Sequence, residues 1–163
     1  MEPTSFKFMK KVLLIGAGKS SGYLIDYLLS YAVAENYELT VADLNMEAAL
    51  LKTKHLPNSK AIVLDINNAA DRINHIQAAD IVISMLPAFM HFPVAKDCVN
   101  LKKHLVTASY VSPEIMSLNE TALKNDVLLL NEIGLDPGID HLSAMKVIHE
   151  IQLQGGQLTS FKS

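Results

Sequence analysis

The feature that most constrains this chain is the stretch Lys11–Gly22, KVLLIGAGKSSG. An apolar run ends in glycine, and a helix-patterned segment follows at once. A run without polar alternation reads as a strand buried on both faces, the habit of parallel sheets. The glycines follow G-x-G-x-x-x-G, one residue longer than the commonest spacing of the turn that cradles a pyrophosphate. One glycine permits the tight turn, another lets the backbone approach an anion, and the helix N-terminus presents N–H groups to it. Gly16, Ala17, Gly18, Lys19, Ser20 and Ser21 are therefore the expected phosphate contacts, with both serines as further hydroxyl donors. Two rival motifs overlap this stretch. A P-loop needs glycine where Leu13 stands, so it fails. Gly18-Lys19-Ser20-Ser21-Gly22 spells an esterase nucleophile elbow, but an elbow on the first strand beside a dinucleotide turn is out of place.

The same alternation continues along the chain. Further strands are expected at Glu38–Asp43, Ala61–Asp65, Asp80–Leu86, His104–Ala108 and Val127–Asn131. Helices are expected at Ser20–Ala34, Met46–Lys54, Ala69–Gln77, His91–Lys103, Ser112 to about Lys124, and Ile139–Leu153. In the first, Tyr23, Leu24, Tyr27, Leu28 and Tyr31 share one face at helical spacing. In the fifth, Ser112 caps and Pro113 takes the first helical position. This rhythm predicts a doubly wound parallel α/β sheet of the Rossmann type. Residues 1–10 read as an N-terminal extension, 11–153 as the dinucleotide-binding domain, and 154–163 as a tail leading to an absent substrate and dimerisation domain.

Composition excludes other classes. With 50% hydrophobic and 19% charged residues the chain can bury a core and is not disordered. Aromatics are 6%, Trp is absent, and the net charge is −3, so no nucleic-acid surface is expected. No apolar run is long enough for a membrane span, and no signal peptide is visible. One cysteine, Cys98, excludes a disulfide framework and suits the cytoplasm. The histidines show no metal spacing, so no metal is expected.

Asp43 ends the second strand, where a carboxylate can accept both ribose hydroxyls of NAD and repel the 2′-phosphate of NADP. Neither Leu44 nor Asn45 offers an arginine to neutralise that phosphate, so NAD is expected ahead of NADP. The alternative role for Asp43 is to cap the next helix. Asp65 and Ile66 follow the third strand, at the place of the adenine edge, and Leu86 ends the fourth. Glu132–Gly138 carries carboxylates between glycines and a proline, which suits either a shaped site wall or a turn into the last helix.

Asn131–His141 (NEIGLDPGIDH) resembles a signature of the glutamate-forming saccharopine dehydrogenases. Ser109–Pro113 (SYVSP) and Asp80–Pro87 (DIVISMLP), followed by His91 and Lys96, resemble two more. The likeness runs from about Lys11 to Ile148. It implies hydride transfer between saccharopine, a secondary amine, and NAD(P), giving glutamate and 2-aminoadipate 6-semialdehyde in lysine metabolism. It implies Ser109, Tyr110 and Asp136 as substrate contacts, with Tyr110 and Asp136 the polar groups nearest the chemistry. Leu135 and Gly138 would line the nicotinamide junction beside Asp136. It also implies a longer protein, working as a homodimer, with a second domain supplying cations and cover. The alternatives are a related carboxy-polyamine (carboxynorspermidine-type) dehydrogenase and an NAD(H)-binding module without turnover.

Overall fold

The computed structural model describes residues 9–54 and 56–162. Six strands form one parallel sheet: β1 (Lys10–Ile15), β2 (Tyr37–Asp43), β3 (Ser59–Val63), β4 (Ile81–Ser84), β5 (His104–Thr107) and β6 (Leu129–Leu130). Their order is β3-β2-β1-β4-β5-β6. The order reverses between β1 and β4, which opens a crevice at the carboxyl ends of the strands. Every named pair is parallel, as continuous apolar strands demand.

Seven helices connect them: α1 (Gly22–Tyr31), α2 (Met46–Thr53), α3 (Ala69–Ala78), α4 (His91–Asn100), α5 (Pro113–Met116), α6 (Asn119–Lys124) and α7 (Ile139–Leu153). Short 3-10 turns, Lys19–Ser21 and Ala88–Met90, precede α1 and α4. The core lies on both faces of the sheet. Leu14, Leu39 and Val41 pack with Ile25, Leu29 and Ala49 of α1 and α2 on one side. Leu13, Val82 and Leu105 pack with Ile76, Val94 and Cys98 of α3 and α4 on the other.

Several sequence expectations shift. β1 begins at Lys10, inside the expected extension; residues 1–8 lie outside the described residues. The tyrosines of α1 do not face the core: Tyr23, Tyr27 and Tyr31 are exposed, and Ile25 and Leu29 are buried instead. A phenol keeps its hydroxyl solvated there, while the aliphatic stripe one residue round packs on β1 and β2. β3 starts two residues early and stops at Val63, because its partner β2 ends at Asp43. β4 and β6 are shorter than their apolar runs for the same reason: pairing, and not hydropathy, sets a strand's length. The expected helix from Ser112 is two. Ser112 caps it by accepting from Ile115 N, as read, but the Ser117 hydroxyl donates to the Glu114 carbonyl and Leu118 N turns back to Ile115 O. This i−3 tightening breaks the i−4 ladder between α5 and α6.

Candidate functional site

The glycine turn leaves β1 at Gly16, whose φ is +109°. A side chain there would lie 2.9 Å from the Met85 carbonyl oxygen, so the tight turn against β4 requires glycine. Gly18 differs. A Cβ there would meet nothing within 4 Å, so the space above it is open. Beside that space, the N–H groups of Gly18, Lys19 and Ser20 have no acceptor among the described residues. Open volume over unpaired N–H groups that open a helix is what a pyrophosphate requires, so the turn fits a dinucleotide.

Two residues of the turn serve it from within. Ala17 is buried and its N–H donates to Asp43 Oδ2 at 2.7 Å. Ser21 is buried and its hydroxyl donates to Gly18 O at 2.9 Å. In this structure both donors serve the shape of the turn. Neither serine has a positive φ, so the strained nucleophile elbow is absent as well.

The structure brings Gly16, Asp43, Asp65, Ile66 and Leu86 together in one crevice beside the turn, with Met90. Met90 was missed, since nothing in its spacing marks it. Asp43 holds the turn from the side, its Oδ1 accepting from Asn45 N at 2.8 Å while Oδ2 takes Ala17 N. The cap of α2 is Asn45 itself, which accepts from Glu47 and Ala48 N–H. Asp65 accepts from Asn67 N at 2.9 Å and so shapes its own loop. Arg72 on α3 closes this end: it pairs with Asp97 at 2.6 Å and donates to the Ile66 carbonyl.

Beyond β5 the second wall begins. Tyr110 donates its hydroxyl to Asp136 Oδ1 at 2.7 Å, so the two residues named for the chemistry do meet. That hydrogen bond, with the nearby carboxylates, raises the phenol pKa and keeps the proton on Tyr110. Glu132 ties the walls together: its N–H donates to Ser109 O and its Oε1 accepts from Val111 N. The segment Gly134–Gly138 closes on itself, Gly134 N donating to Pro137 O and Ile139 N to Gly134 O, with a cis peptide at Asp136–Pro137. Gly138 has φ +145°, and a side chain there would lie 2.3 Å from Gly134 O. Its identity thus follows from loop closure. Leu135, expected at the nicotinamide junction, is 76% exposed on this loop. Asp140 accepts from Gly138 N at 2.9 Å and meets His141 Nδ1 at 2.8 Å. Its burial alone would raise the carboxyl pKa, but the His141 and Gly138 N–H groups and the His141 ring hold it below the ordinary value.

The sequence places His91 in a family signature but assigns it no role. This residue is 1% exposed and joins Ser84 Oγ to Nδ1 at 2.8 Å and Ser109 Oγ to Nε2 at 2.7 Å. The signal available was its place directly after the DIVISMLP segment. Cys98 is buried and pushed up to about 12, chiefly by burial, which leaves it inert as a nucleophile. Lys96 is exposed on α4 and does not join the hydrogen-bonded groups of the site. Among the described residues no cluster of metal-binding side chains and no helix long and apolar enough to cross a membrane is found.

The reversed strand order and the open glycine turn together define a Rossmann-type dinucleotide-binding domain. Residues 12–130 match the family described as saccharopine dehydrogenase NADP binding domain, and the chain belongs to that family. It is 38% identical over 155 residues to saccharopine dehydrogenase [NADP(+), L-glutamate-forming] of Schizosaccharomyces pombe, covering 95% of this chain and 34% of that protein. It is 37% identical to alpha-aminoadipic semialdehyde synthase of Arabidopsis thaliana, covering 93% of this chain and 16% of that protein. The solved apo saccharopine dehydrogenase (L-Glu forming) of Saccharomyces cerevisiae superposes with a TM-score of 0.82 at 38% identity, over 93% of this chain and 33% of that one. The chain thus spans about a third or less of the length of these relatives.

Proposed function

We propose that the chain is the dinucleotide-binding part of an oxidoreductase that acts on saccharopine, a secondary amine joining lysine and glutamate skeletons. The observation that carries this reading is the Tyr110–Asp136 hydrogen bond, which joins the segment after β5, next to Ser109, to the segment after β6. In the proposed reaction hydride leaves the carbon beside the amine nitrogen, and water then releases glutamate and 2-aminoadipate 6-semialdehyde. The dinucleotide, when bound, supplies the hydride acceptor. The free N–H groups of Gly18, Lys19 and Ser20 hold its phosphates. Tyr110 carries its proton toward Asp136; the pair can accept the proton that the attacking water gives up and return one to the amine nitrogen as the carbinolamine collapses.

The cofactor we propose is NAD in preference to NADP. Asp43 stands at the end of β2 with its charge facing the crevice, and Leu44 and Asn45 beside it carry no cation. The fungal relatives carry NADP(+) in their names, so this chain would differ from them in its cofactor. The chain alone is proposed to bind the dinucleotide without turning over saccharopine. That substrate carries three carboxylates, which arginine holds best. Arg72 is the only arginine, and Asp97 already takes it.

Calorimetric titration of the chain with NAD and with NADP tests the reading. NAD is expected to bind tighter, and Asp43→Ser to narrow the gap. Gly18→Val is expected to abolish binding of both while the fold survives, since its side chain enters open space. Equal or tighter NADP binding by the unaltered chain would overturn the cofactor choice. Saccharopine-dependent NADH formation by the chain at about 1 per second or faster would overturn the proposed division of labour.

A further inference from the structure

His91 begins α4, and its buried ring meets Ser84 and Thr107, the last residues of β4 and β5. We infer that His91 is a positioning residue that fixes the direction of the Ser109 hydroxyl, turning its proton outward to an oxygen of the substrate.

The argument starts at Ser84. Its hydroxyl is 1% exposed and carries one proton that needs an acceptor. Among the described residues its side chain meets only His91 Nδ1, at 2.8 Å. Nδ1 therefore accepts and carries no proton of its own. A neutral imidazole must then bear its single proton on Nε2. Burial lowers the pKa of His91, which agrees with a neutral ring. Two oxygens lie near Nε2: Ser109 Oγ at 2.7 Å and Thr107 Oγ1 at 3.4 Å. The nearer takes the proton. Ser109 Oγ is thus an acceptor on its inner side, and its own proton has no place on the ring. The opposite tautomer would give up the 2.8 Å bond from Ser84 and strand its proton in the core, gaining only the 3.4 Å contact from the equally buried Thr107, whose Oγ1 already accepts from Ser109 N.

Ser109 is half-buried at the end of β5, next to Tyr110. A hydroxyl whose oxygen is already engaged by a ring N–H is a stronger donor than a free one, because hydrogen bonds in a chain polarise one another. The chain Ser84–His91–Ser109 therefore ends in a donor aimed at the site, suited to a carboxylate oxygen. The tyrosine and the acids beyond it supply a shared proton and negative charge but no such fixed donor. This assignment rests on the proposed reading of a carboxylate-bearing amino-acid substrate.

The experiment has two arms, both on the full-length protein that carries this chain, because the three carboxylates of saccharopine need more cations than Arg72, which Asp97 already takes. Long-range nitrogen–proton NMR of the imidazole reads the tautomer directly. Protonation at Nε2 is expected, with the Nε2 proton shifting when saccharopine is added to the NADH-bound protein. A ring protonated at Nδ1 would overturn the inference. The second arm titrates saccharopine into NADH-bound His91→Gln and His91→Phe. Gln keeps an N–H near the Nε2 position and is expected to bind within a few-fold of the unaltered protein, whereas Phe is expected to weaken binding about tenfold. NADH affinity, which also reports a surviving fold, is expected to stay unchanged in both. If Phe binds saccharopine as tightly as the unaltered protein, the positioning role is gone. If the unaltered protein binds NADH but no saccharopine, the substrate reading fails and the tautomer still decides the direction of the chain.

Discussion

Two helices start at the site, and they are built in opposite ways. α4 spans ten residues, and five of them, His91, Val94, Ala95, Cys98 and Val99, are buried. α7 spans fifteen residues and buries none. Both sequences carry apolar residues at helical intervals, so the pattern alone does not separate them. What separates them is the surface laid against each: α4 packs on β4, β5 and α3, while Leu142, Met145, Val147 and Leu153 of α7 stand exposed. The nucleotide side of the site is consequently held by a core. The Asp136 side is held by a small ring of hydrogen bonds around Gly134 and Gly138.

This contrast can be broken by measurement. The largest effect is expected for Val94→Ala, which removes two methyl groups from a fully buried position and should cost about 2 kcal/mol in urea unfolding. A loss near zero would mean that α4 does not sit in the core described. A smaller effect is expected from the ring at the start of α4. Because His91 has a lowered pKa in the folded chain, the unfolded chain takes up a proton below about pH 6.5 that the folded chain refuses. The His91 contribution is thus fully present above that value and is lost as pH falls, at up to about 1.4 kcal/mol per pH unit. Unfolding midpoints at pH 7.5 and 5.5, compared between the unaltered chain and His91→Gln, should show the steeper fall in the former. Parallel pH profiles would remove His91 from the account. The smallest effect, under about 0.5 kcal/mol, is expected for Leu142→Ser on α7. A cost approaching that of Val94→Ala would sharpen the picture differently, by revealing that α7 is covered in solution.

The strand and helix order could be read from the sequence because each apolar run is short and bounded by glycine, proline or a capping residue. The bounds of α7 match the reading to the residue, and β1 and β2 fall within a residue of it. The misses share a cause. β6 is two residues long although Val127–Leu130 is apolar throughout, since an edge strand pairs only as far as its single neighbour allows. The tyrosines of α1 show that spacing identifies a face but not which face turns inward. In the site, Gly16, Asp43, Asp65, Ile66 and Leu86 were legible because strand ends in this fold point at one crevice. His91 was not, because its partners Ser84 and Ser109 come from two other strands' ends and no local pattern links them.

Asp43 has an evolutionary consequence. One carboxylate both braces the glycine turn through Ala17 and stands where a ribose is expected. Any lineage that exchanged this acid to accept a different nucleotide would loosen its own phosphate cradle in the same step. A single substitution is therefore a poor route between cofactors here, and a successful switch should arrive with a second change that gives the Ala17 N–H a new acceptor.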